Sequence, residues 1–165
     1  MPNQLWMGAV QRTWFGRPVV VGQDGAMETG PSVSRQHVDA VFADLAAGWQ
    51  GGFLRHVSPQ VRWQVLGSHP LAGDYRTVED FVAGTSARLD PRLRDPLSLH
   101  VVGILLAGAW AVVELTAESV QNNGRTYRNE YCWLVRFDSD GLIVEVRSYL
   151  DSAAVADVIR SNDGP

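Results

Sequence analysis

Apolar residues recur at helical spacing after Ser34 and predict the first helix of an ordered domain. The stripe repeats every three or four residues and comprises Val38, Val41, Phe42, Leu45, Ala46 and Trp49. Ser34 is a favourable N-cap, and the pair Gly51-Gly52 is expected to end this helix after about four turns. Thr77 caps a second predicted helix that stops at Asp90-Pro91, and Asp151 caps a third helix that closes the domain.

Alternation of apolar and polar residues predicts five strands, one short and four long. The short strand covers residues 61–65, and the long strands cover 97–106, 109–118, 126–137 and 142–150. Asn123-Gly124 and Asp140-Gly141 can adopt the positive φ angles that tight hairpins require, so the last three strands are expected to form an antiparallel meander. The order helix, strand, helix, four strands, helix indicates an α+β domain with its helices on one side of a sheet.

Residues 1–33 differ from the rest because glycine and proline interrupt them and no helical period is present. Two interpretations stay open. One is a mobile extension, with translation starting at Met27; the other is an arm that covers a pocket or crosses to a second subunit. A short strand is predicted over residues 19–21. Residues 34–160 are expected to form one domain, followed by a tail at 161–165.

The composition is that of a folded chain without affinity for polyanions. Of the 165 residues, 45% are apolar and 19% are charged, the net charge is −4, and lysine and arginine form no cluster. This pattern argues against nucleic-acid binding, which needs a concentrated basic face. No apolar run approaches the roughly 20 residues of a membrane span. The N-terminus lacks the order of a signal peptide, so a soluble cytoplasmic protein is expected.

The chain also lacks the residue patterns of common cofactor and metal sites. Cys132 is the single cysteine, so neither an internal disulfide nor a cysteine-rich zinc site can form. The four histidines have no acidic partner at ligand spacing, and the glycine-rich stretches lack a P-loop lysine and a dinucleotide fingerprint. No cofactor and no metal are therefore expected. Six tryptophans, four tyrosines and five phenylalanines are available to fill a core or line an apolar pocket.

Three stretches resemble the SnoaL-like branch of the nuclear-transport-factor-2-like superfamily, which includes ketosteroid isomerase, limonene-epoxide hydrolase and polyketide cyclases. They are GSHPLAGDYR at 67–76, GRTYRNEY at 124–131 and GLIVEVRSYLD at 141–151, and the resemblance covers about residues 34–160. It implies a cone-shaped α+β fold in which helices pack on the concave side of a curved, mixed and mostly antiparallel sheet. A deep apolar pocket for a hydrophobic small molecule and a homodimer through the convex sheet face are implied as well.

The same resemblance assigns alternate strand residues to the pocket. The implied pocket-facing residues are Trp63, Val65, Ser98, His100, Val102, Trp110, Val112, Glu114, Thr116, Asn129, Tyr131, Trp133, Ser148 and Leu150, with His69 at the mouth. Epoxide hydrolases of this fold hold an arginine and two aspartates around the attacking water, and Glu114, Thr116 and Ser148 stand there in this chain. That hydrolytic machinery is therefore absent. The residues of opposite parity are assigned to the convex face, where their alternating charges suggest cross-strand ion pairs: Arg128, Glu130, Glu145, Arg147 and Tyr149.

Glu114 is the leading candidate for proton transfer. Its neighbours on the predicted strand are apolar, and a carboxylate in such surroundings has a raised pKa, which suits a general acid or base. His100 lies on the preceding strand, and the hairpin register decides whether it meets Glu114. If Leu105 lies opposite Ala109 the two residues pair, whereas Leu106 opposite Ala109 would separate them.

Asn129 and Tyr131 supply an amide and a phenol that can hold a substrate oxygen while charge develops on it. The side chains of Trp63, Trp110 and Trp133 are interpreted as pocket wall. We hypothesise a cofactor-free enzyme that acts on a polyketide, terpenoid or similar metabolite by acid–base chemistry. The reaction would be cyclisation, isomerisation or epoxide opening. Two alternatives stay open: a non-catalytic protein that binds a hydrophobic ligand, and a structural dimer whose pocket is filled by its own chain.

Overall fold

The computed structural model describes residues 12–14, 17–19, 32–45 and 48–162, the first two segments as backbone only. Those two segments are the strands β1 (Arg12–Trp14) and β2 (Arg17–Val19), which pair antiparallel. The interpretations of residues 1–33 as a mobile extension or a covering arm fall largely outside the described residues. The start at Met27 and most of the strand predicted over 19–21 also lie outside them.

Four α-helices are present in the part of the chain that the structure describes, together with short turns of other helical types. They are α1 (Arg35–Ala43), α2 (Val78–Gly84), α3 (Ser86–Leu89) and α4 (Ser152–Ser161), with a π-helical turn at Trp49–Phe53 and 3-10 turns at Leu54–His56 and Asp90–Arg92. The predicted N-caps are confirmed, because Ser34, Thr77 and Asp151 each accept a backbone N–H of the first turn. No helix in these ranges is long and apolar enough to cross a membrane.

Two predicted helices are shorter than their apolar patterns suggested. Helix α1 ends at Ala43, and Trp49 lies beyond Gly48, whose φ of 109° is incompatible with a continuing helix. The second predicted helix breaks at Thr85 into α2 and α3, and the Thr85 hydroxyl donates to the carbonyl of Phe81. Both breaks matter for the site, because Trp49 and the residues around Thr85 line the same cavity.

Six further strands form one curved, open sheet. They are β3 (Val57–Val65), β4 (Gly73–Tyr75), β5 (Ser98–Ala107), β6 (Trp110–Val120), β7 (Thr126–Phe137) and β8 (Ile143–Leu150), in the spatial order β4-β3-β8-β7-β6-β5. Strand β3 runs parallel to β8 and all other neighbours are antiparallel, which confirms the predicted meander. Strand β4 was not predicted because it has only three residues.

The helices cover the concave face of this sheet, called the inner face below, and the opposite face is called the outer face. Val38, Val41 and Phe42 of α1 are buried with the inner-facing residues Val113 and Val135 in one core cluster. Helix α4 closes a second apolar cluster at one end of the sheet. The expected mixed α+β fold, with helices on the concave side of a mostly antiparallel sheet, is therefore confirmed.

The β5–β6 hairpin has neither of the two registers considered from the sequence. Ala107 lies opposite Trp110 around a two-residue turn in which Gly108 has a φ of 60°. Farther along, a β-bulge at Val102 shifts the pairing by one residue. The turn and the bulge together set the alignment of the two strands.

The pairing of His100 with Glu114 does not form in this register. His100 lies opposite Thr116, and Glu114 lies opposite Gly103. The His100 ring instead shares a hydrogen bond of 2.9 Å with the hydroxyl of Ser98 on its own strand. The possible His100–Glu114 dyad considered from the sequence is therefore not formed.

The side-chain parity of β5 and β6 is the reverse of the expected one. A five-residue loop joins β6 to β7 and places Leu115 opposite Tyr131, so Leu115 is the inner-facing residue there. Because side chains alternate along a strand, shifting the register by one residue moves every side chain of that strand to the other face of the sheet. The residues that were expected in the pocket but lie on the outer face are Ser98, His100, Val102, Trp110, Val112, Glu114 and Thr116.

Charged residues of β7 and β8 lie on the outer face, as the sequence indicated. Glu145 accepts hydrogen bonds from Arg136 at 3.3 Å and from Arg147 at 2.8 Å. Arg128 pairs across the strands with Glu118 at 2.9 Å. These exposed or half-buried ion pairs are worth little free energy individually, and they leave the inner face to apolar side chains.

Candidate functional site

A cavity of about 100 Å³ lies between the inner face of the sheet and helices α2, α3 and α4. Strands β3, β7 and β8 contribute Trp63, Val65, Tyr127, Tyr131, Trp133, Ser148 and Leu150 to its lining. The other lining residues are Trp49, His69, Leu71, Phe81, Thr85, Ser86, Leu89, Asp90, Leu97, Leu99 and Val155. The volume is below the roughly 150 Å³ that accommodates benzene in a protein core. A larger ligand must therefore displace wall side chains or extend through the mouth.

Stacked aromatic rings form the wall between the cavity and the core. Trp63 stacks on Phe81 with ring centroids 4.0 Å apart, and Trp49 meets both rings edge-on. Trp133 approaches Trp63 at 5.4 Å in a T-shaped arrangement. The indole N–H of Trp63 donates to the Ser148 hydroxyl at 2.7 Å, which fixes the ring on the sheet. The sequence therefore predicted Trp63, Trp133 and Ser148 on the correct face, and it missed Trp49.

His69 lies in the loop between β3 and β4 and is 92% buried at the cavity, since its exposed fraction is 8%. Its Nδ1 accepts the backbone N–H of Leu71 at 3.2 Å, so in the neutral ring the proton belongs on Nε2. Burial lowers the pKa of His69, and the Leu66 carbonyl opposes this effect only in part. His69 is thus a neutral donor at the cavity.

Asp90 is the acidic residue of the cavity, and sequence reasoning missed it. It follows α3 in the 3-10 turn Asp90–Arg92, where the motif Asp90-Pro91 was interpreted only as a helix stop. Asp90 keeps much of its surface exposed, but partial desolvation raises the pKa of its carboxyl above the usual value. A carboxyl group with a raised pKa exchanges protons closer to neutral pH than a solvated one, so Asp90 can act as a general acid or base.

Tyr131 and Tyr127 present a pair of hydrogen-bonded phenols to the cavity. Their hydroxyl oxygens are 3.1 Å apart, and burial raises the pKa of both, that of Tyr131 well above its usual value. The Asn129 amide donates to the Tyr127 oxygen at 3.1 Å. If the Tyr127 hydroxyl donates onward to Tyr131, the Tyr131 hydroxyl is left to donate to a ligand oxygen.

Asn129 holds the frame of the site rather than facing the cavity. Its amide also donates to the Asp151 carbonyl, and its oxygen accepts the N–H groups of Asp151 and Glu130. All four hydrogen-bonding positions of the side chain are therefore used. The direct contact with a substrate oxygen that the sequence suggested does not occur in this geometry.

The remaining candidates lie on the outer face, away from the cavity. Glu114 is exposed beside Cys132 and Tyr149 in a shallow groove. Trp110 lies beneath two guanidinium groups, with the Arg147 carbon 5.1 Å from the ring centroid. Val112 is opposite Leu105 and Leu134 on the same face, and Thr116 is opposite His100 and Glu130. The structure therefore brings none of these side chains to the inner cavity.

Metal-ligating side chains do not cluster in the described part of the chain. Within residues 32–45 and 48–162, no three histidine, cysteine, aspartate or glutamate residues approach one another closely enough to hold an ion. The cavity lining also includes neither lysine nor arginine.

Comparison with known proteins agrees with this architecture. The family model described as the SnoaL-like domain matches residues 36–146, and the chain belongs to this family, within the NTF2-like superfamily that the sequence indicated. A solved NTF2-like protein from Burkholderia thailandensis superposes with a TM-score of 0.64 at 20% identity, covering 75% of this chain and 95% of that one.

Two curated relatives are fungal. The dimerizing cyclase phiC, from a fungal species, is 25% identical over 134 residues, which are 79% of this chain and 59% of that protein. The dimerizing cyclase tstC from Talaromyces stipitatus is 27% identical over 134 residues, with the same coverage. This chain spans less than two thirds of the length of these relatives.

Replacing Asn129 by Ala should destabilise the fold strongly. The change leaves the partly buried N–H and C=O of Asp151 without their side-chain partner, which costs up to about 1–3 kcal/mol for each group that water cannot reach. Urea denaturation measures the free energy of unfolding. Thr126→Ala, on an exposed position of the same strand, is the matched control and should change it by less than about 0.5 kcal/mol. Equal changes in the free energy of unfolding for the two variants would contradict the structural role of Asn129.

Replacing His69 by Asn should reduce the acid sensitivity of the protein. Burial lowers the folded-state pKa, so the unfolded chain takes up the proton first as the pH falls through about 6.5. Acid therefore favours unfolding of the wild type, and the effect continues down to the lowered folded-state pKa. Urea midpoints at pH 8 and pH 5.5 should differ less in His69→Asn. His100→Asn, on the outer face, should keep the wild-type difference.

Proposed function

We propose that the chain is a cyclase-type enzyme that acts on an apolar small molecule in the inner cavity by proton transfer alone. Asp90 is the proposed general base or acid, His69 a neutral donor or acid, and Tyr131 a donor to the oxygen on which charge develops. The observation that carries this proposal is the meeting of these three titratable side chains in one aromatic-lined cavity. The relatives named dimerizing cyclases support the same class of reaction.

Ring closure of an enolisable dicarbonyl compound fits these groups. The base removes a proton from the carbon next to one carbonyl, and the resulting enolate carbon attacks the second carbonyl carbon. A carbon–carbon bond forms, and the new alkoxide takes a proton from a donor. Only protons are exchanged, so the step balances without an oxidant or reductant. Neutral donors in a water-poor cavity stabilise the developing oxyanion more than water does.

Asp90→Asn and His69→Asn should each slow such a ring closure. Heptane-2,6-dione is a suitable probe, because its aldol closure and loss of water give 3-methylcyclohex-2-enone, which is followed by absorbance. We expect each variant to lower the catalysed rate by about 10²–10⁴-fold, as for removal of a general acid or base. Glu114→Gln, which changes a carboxylate on the outer face, is the matched control and should keep the wild-type rate.

The outcomes separate the candidate sites. Loss of turnover in Glu114→Gln with wild-type rates in Asp90→Asn would contradict the inner site and restore the outer carboxylate. Binding of the diketone by the wild type without faster closure would favour the second candidate, a non-catalytic protein for a hydrophobic ligand. The tryptophan wall formed by Trp49, Trp63 and Trp133 supports that candidate, because it provides binding surface without chemistry.

We also propose a homodimer through the outer face. Val102 and Leu105 are 64% and 73% exposed there, and Tyr149 is 48% exposed. Glu114 and Glu130 border this surface on one side, and arginines that flank Trp110 lie on the other. An isologous interface brings each patch to its counterpart by a twofold axis, so opposite charges can meet.

Leu105→Glu combined with Val102→Glu should convert the dimer to a monomer. The two carboxylates would have to be buried without partners in the interface, which is unfavourable. Light scattering during size-exclusion chromatography gives the mass directly. Ala43→Glu, which adds a charge on the exposed side of α1, should leave the mass unchanged. A wild-type monomer would refute the proposed interface.

A further inference from the structure

Three buried polar atoms have no hydrogen-bond partner within the described residues, and all belong to side chains that line the inner cavity. They are Nε2 of His69, Oγ of Ser86 and Nε1 of Trp133. The exposed fractions of these residues are 8%, 8% and 4%, so water does not replace the missing partners freely. Buried polar groups are rarely left unpaired in folded proteins, and their concentration at one cavity needs an explanation.

The chemistry of these atoms is that of hydrogen-bond donors. The indole N–H of Trp133 can only donate. His69 uses Nδ1 as an acceptor for the Leu71 N–H, so the neutral ring carries its proton on Nε2. The Leu66 carbonyl lies near this ring but forms no hydrogen bond of acceptable geometry with Nε2. The Ser86 hydroxyl can donate or accept, so it adapts to the same partner.

The charge of the lining limits what these donors can recognise. No arginine or lysine lines the cavity, and Asp90 is its one carboxyl group among the described residues. A phosphate or sulfate group would meet no counter-ion there and would face that carboxyl. A ligand amine would offer further donors to atoms that already donate. The matching groups are uncharged acceptor oxygens on an apolar skeleton.

We infer that His69, Ser86 and Trp133 are specificity-determining residues that select an apolar ligand carrying at least two carbonyl or ether oxygens. The two fixed donors and the adaptable hydroxyl come from the β3–β4 loop, the start of α3 and the middle of β7, three separate elements that line the same cavity. This inference shares its cavity with the proposed function and rests on it in that respect alone. A protein can prefer ligands that carry acceptor oxygens without catalysing a reaction.

Equilibrium dialysis with three bicyclic probes of similar size tests the inference. Chromone carries two acceptor oxygens and no donor, naphthalene carries no polar group, and 1,2,3,4-tetrahydroquinoline carries an N–H donor. We expect chromone to bind roughly tenfold more tightly than either of the others, as one or two additional net hydrogen bonds allow. Equal affinities, or no binding by any probe, would overturn the inference.

Conservative variants show whether the named atoms cause the preference. Ser86→Ala and Trp133→Phe should each reduce the ratio of chromone to naphthalene affinity about threefold to tenfold. Using this ratio removes the effect of a reshaped wall, because naphthalene reports that effect alone. Ser98→Ala and Trp110→Phe make the same changes on the outer face and should keep the ratio. An unchanged ratio in the two cavity variants would refute the assignment.

The result is independent of the cyclase assay. Selective binding of chromone without catalysed closure of heptane-2,6-dione would remove the proposed enzyme and leave the ligand class in place. Slower closure in Asp90→Asn without any preference for chromone would support the proposed enzyme and remove the inferred ligand class.

Discussion

Side-chain alternation along the central strand β7 is the constraint on which the core, the cavity and the outer face all depend. Its inner-facing residues run from Phe137 and Val135 in the core to Trp133, Tyr131 and Tyr127 at the cavity. Pairing with β6 and β8 extends the same alternation across the sheet. A shift of one residue would replace these aromatic side chains by their outer-face neighbours, which include Cys132 and the charged residues Arg128 and Glu130, so core and cavity cannot be altered separately.

Burial at the cavity acts on its acid and its base in opposite directions, and both effects favour the neutral forms. The pKa of Asp90 is raised and the pKa of His69 is lowered, because each charged form loses part of its solvation by water. A proton transfer that creates separated charges in the cavity costs free energy unless neighbouring dipoles stabilise those charges. The phenol of Tyr131 and the unpartnered donors at the cavity are the groups placed to do so.

The site depends on a polar joint between the sheet and helix α4. Asn129 bonds to the backbone of Asp151, which in turn caps α4, and it donates to the phenol of Tyr127. Asn129 does not line the cavity, but through Tyr127 it positions the hydroxyl of Tyr131, which does. This arrangement explains why an asparagine next to candidate catalytic groups belongs to the scaffold.

The class of fold and much of the apolar wall could be predicted from the chain alone, because the signals involved act over short distances. The capping side chains of Ser34 and Thr77 bond within one helical turn. Alternation along β3, β7 and β8, with the resemblance to the SnoaL-like branch, implied that Trp63 and Trp133 face inward. The parity of β6, in contrast, depends on how β6 pairs with its neighbouring strands. A loop and a bulge set its register. Asn123-Gly124 predicts a turn but not the length of the loop, and the bulge at Val102 has no strong local signature.

Which acidic residue lines the cavity likewise follows from long-range packing. Asp90 stands in a motif that locally signals only the end of a helix, whereas Glu114 stands among apolar neighbours that locally suggest burial. Chain folding places Asp90 at the cavity, where its carboxyl loses part of its solvation, and leaves Glu114 on the outer face. The proton affinity of a carboxyl group follows from what surrounds it in space, and sequence neighbours on a strand describe only half of those surroundings, since alternate residues face opposite sides of the sheet.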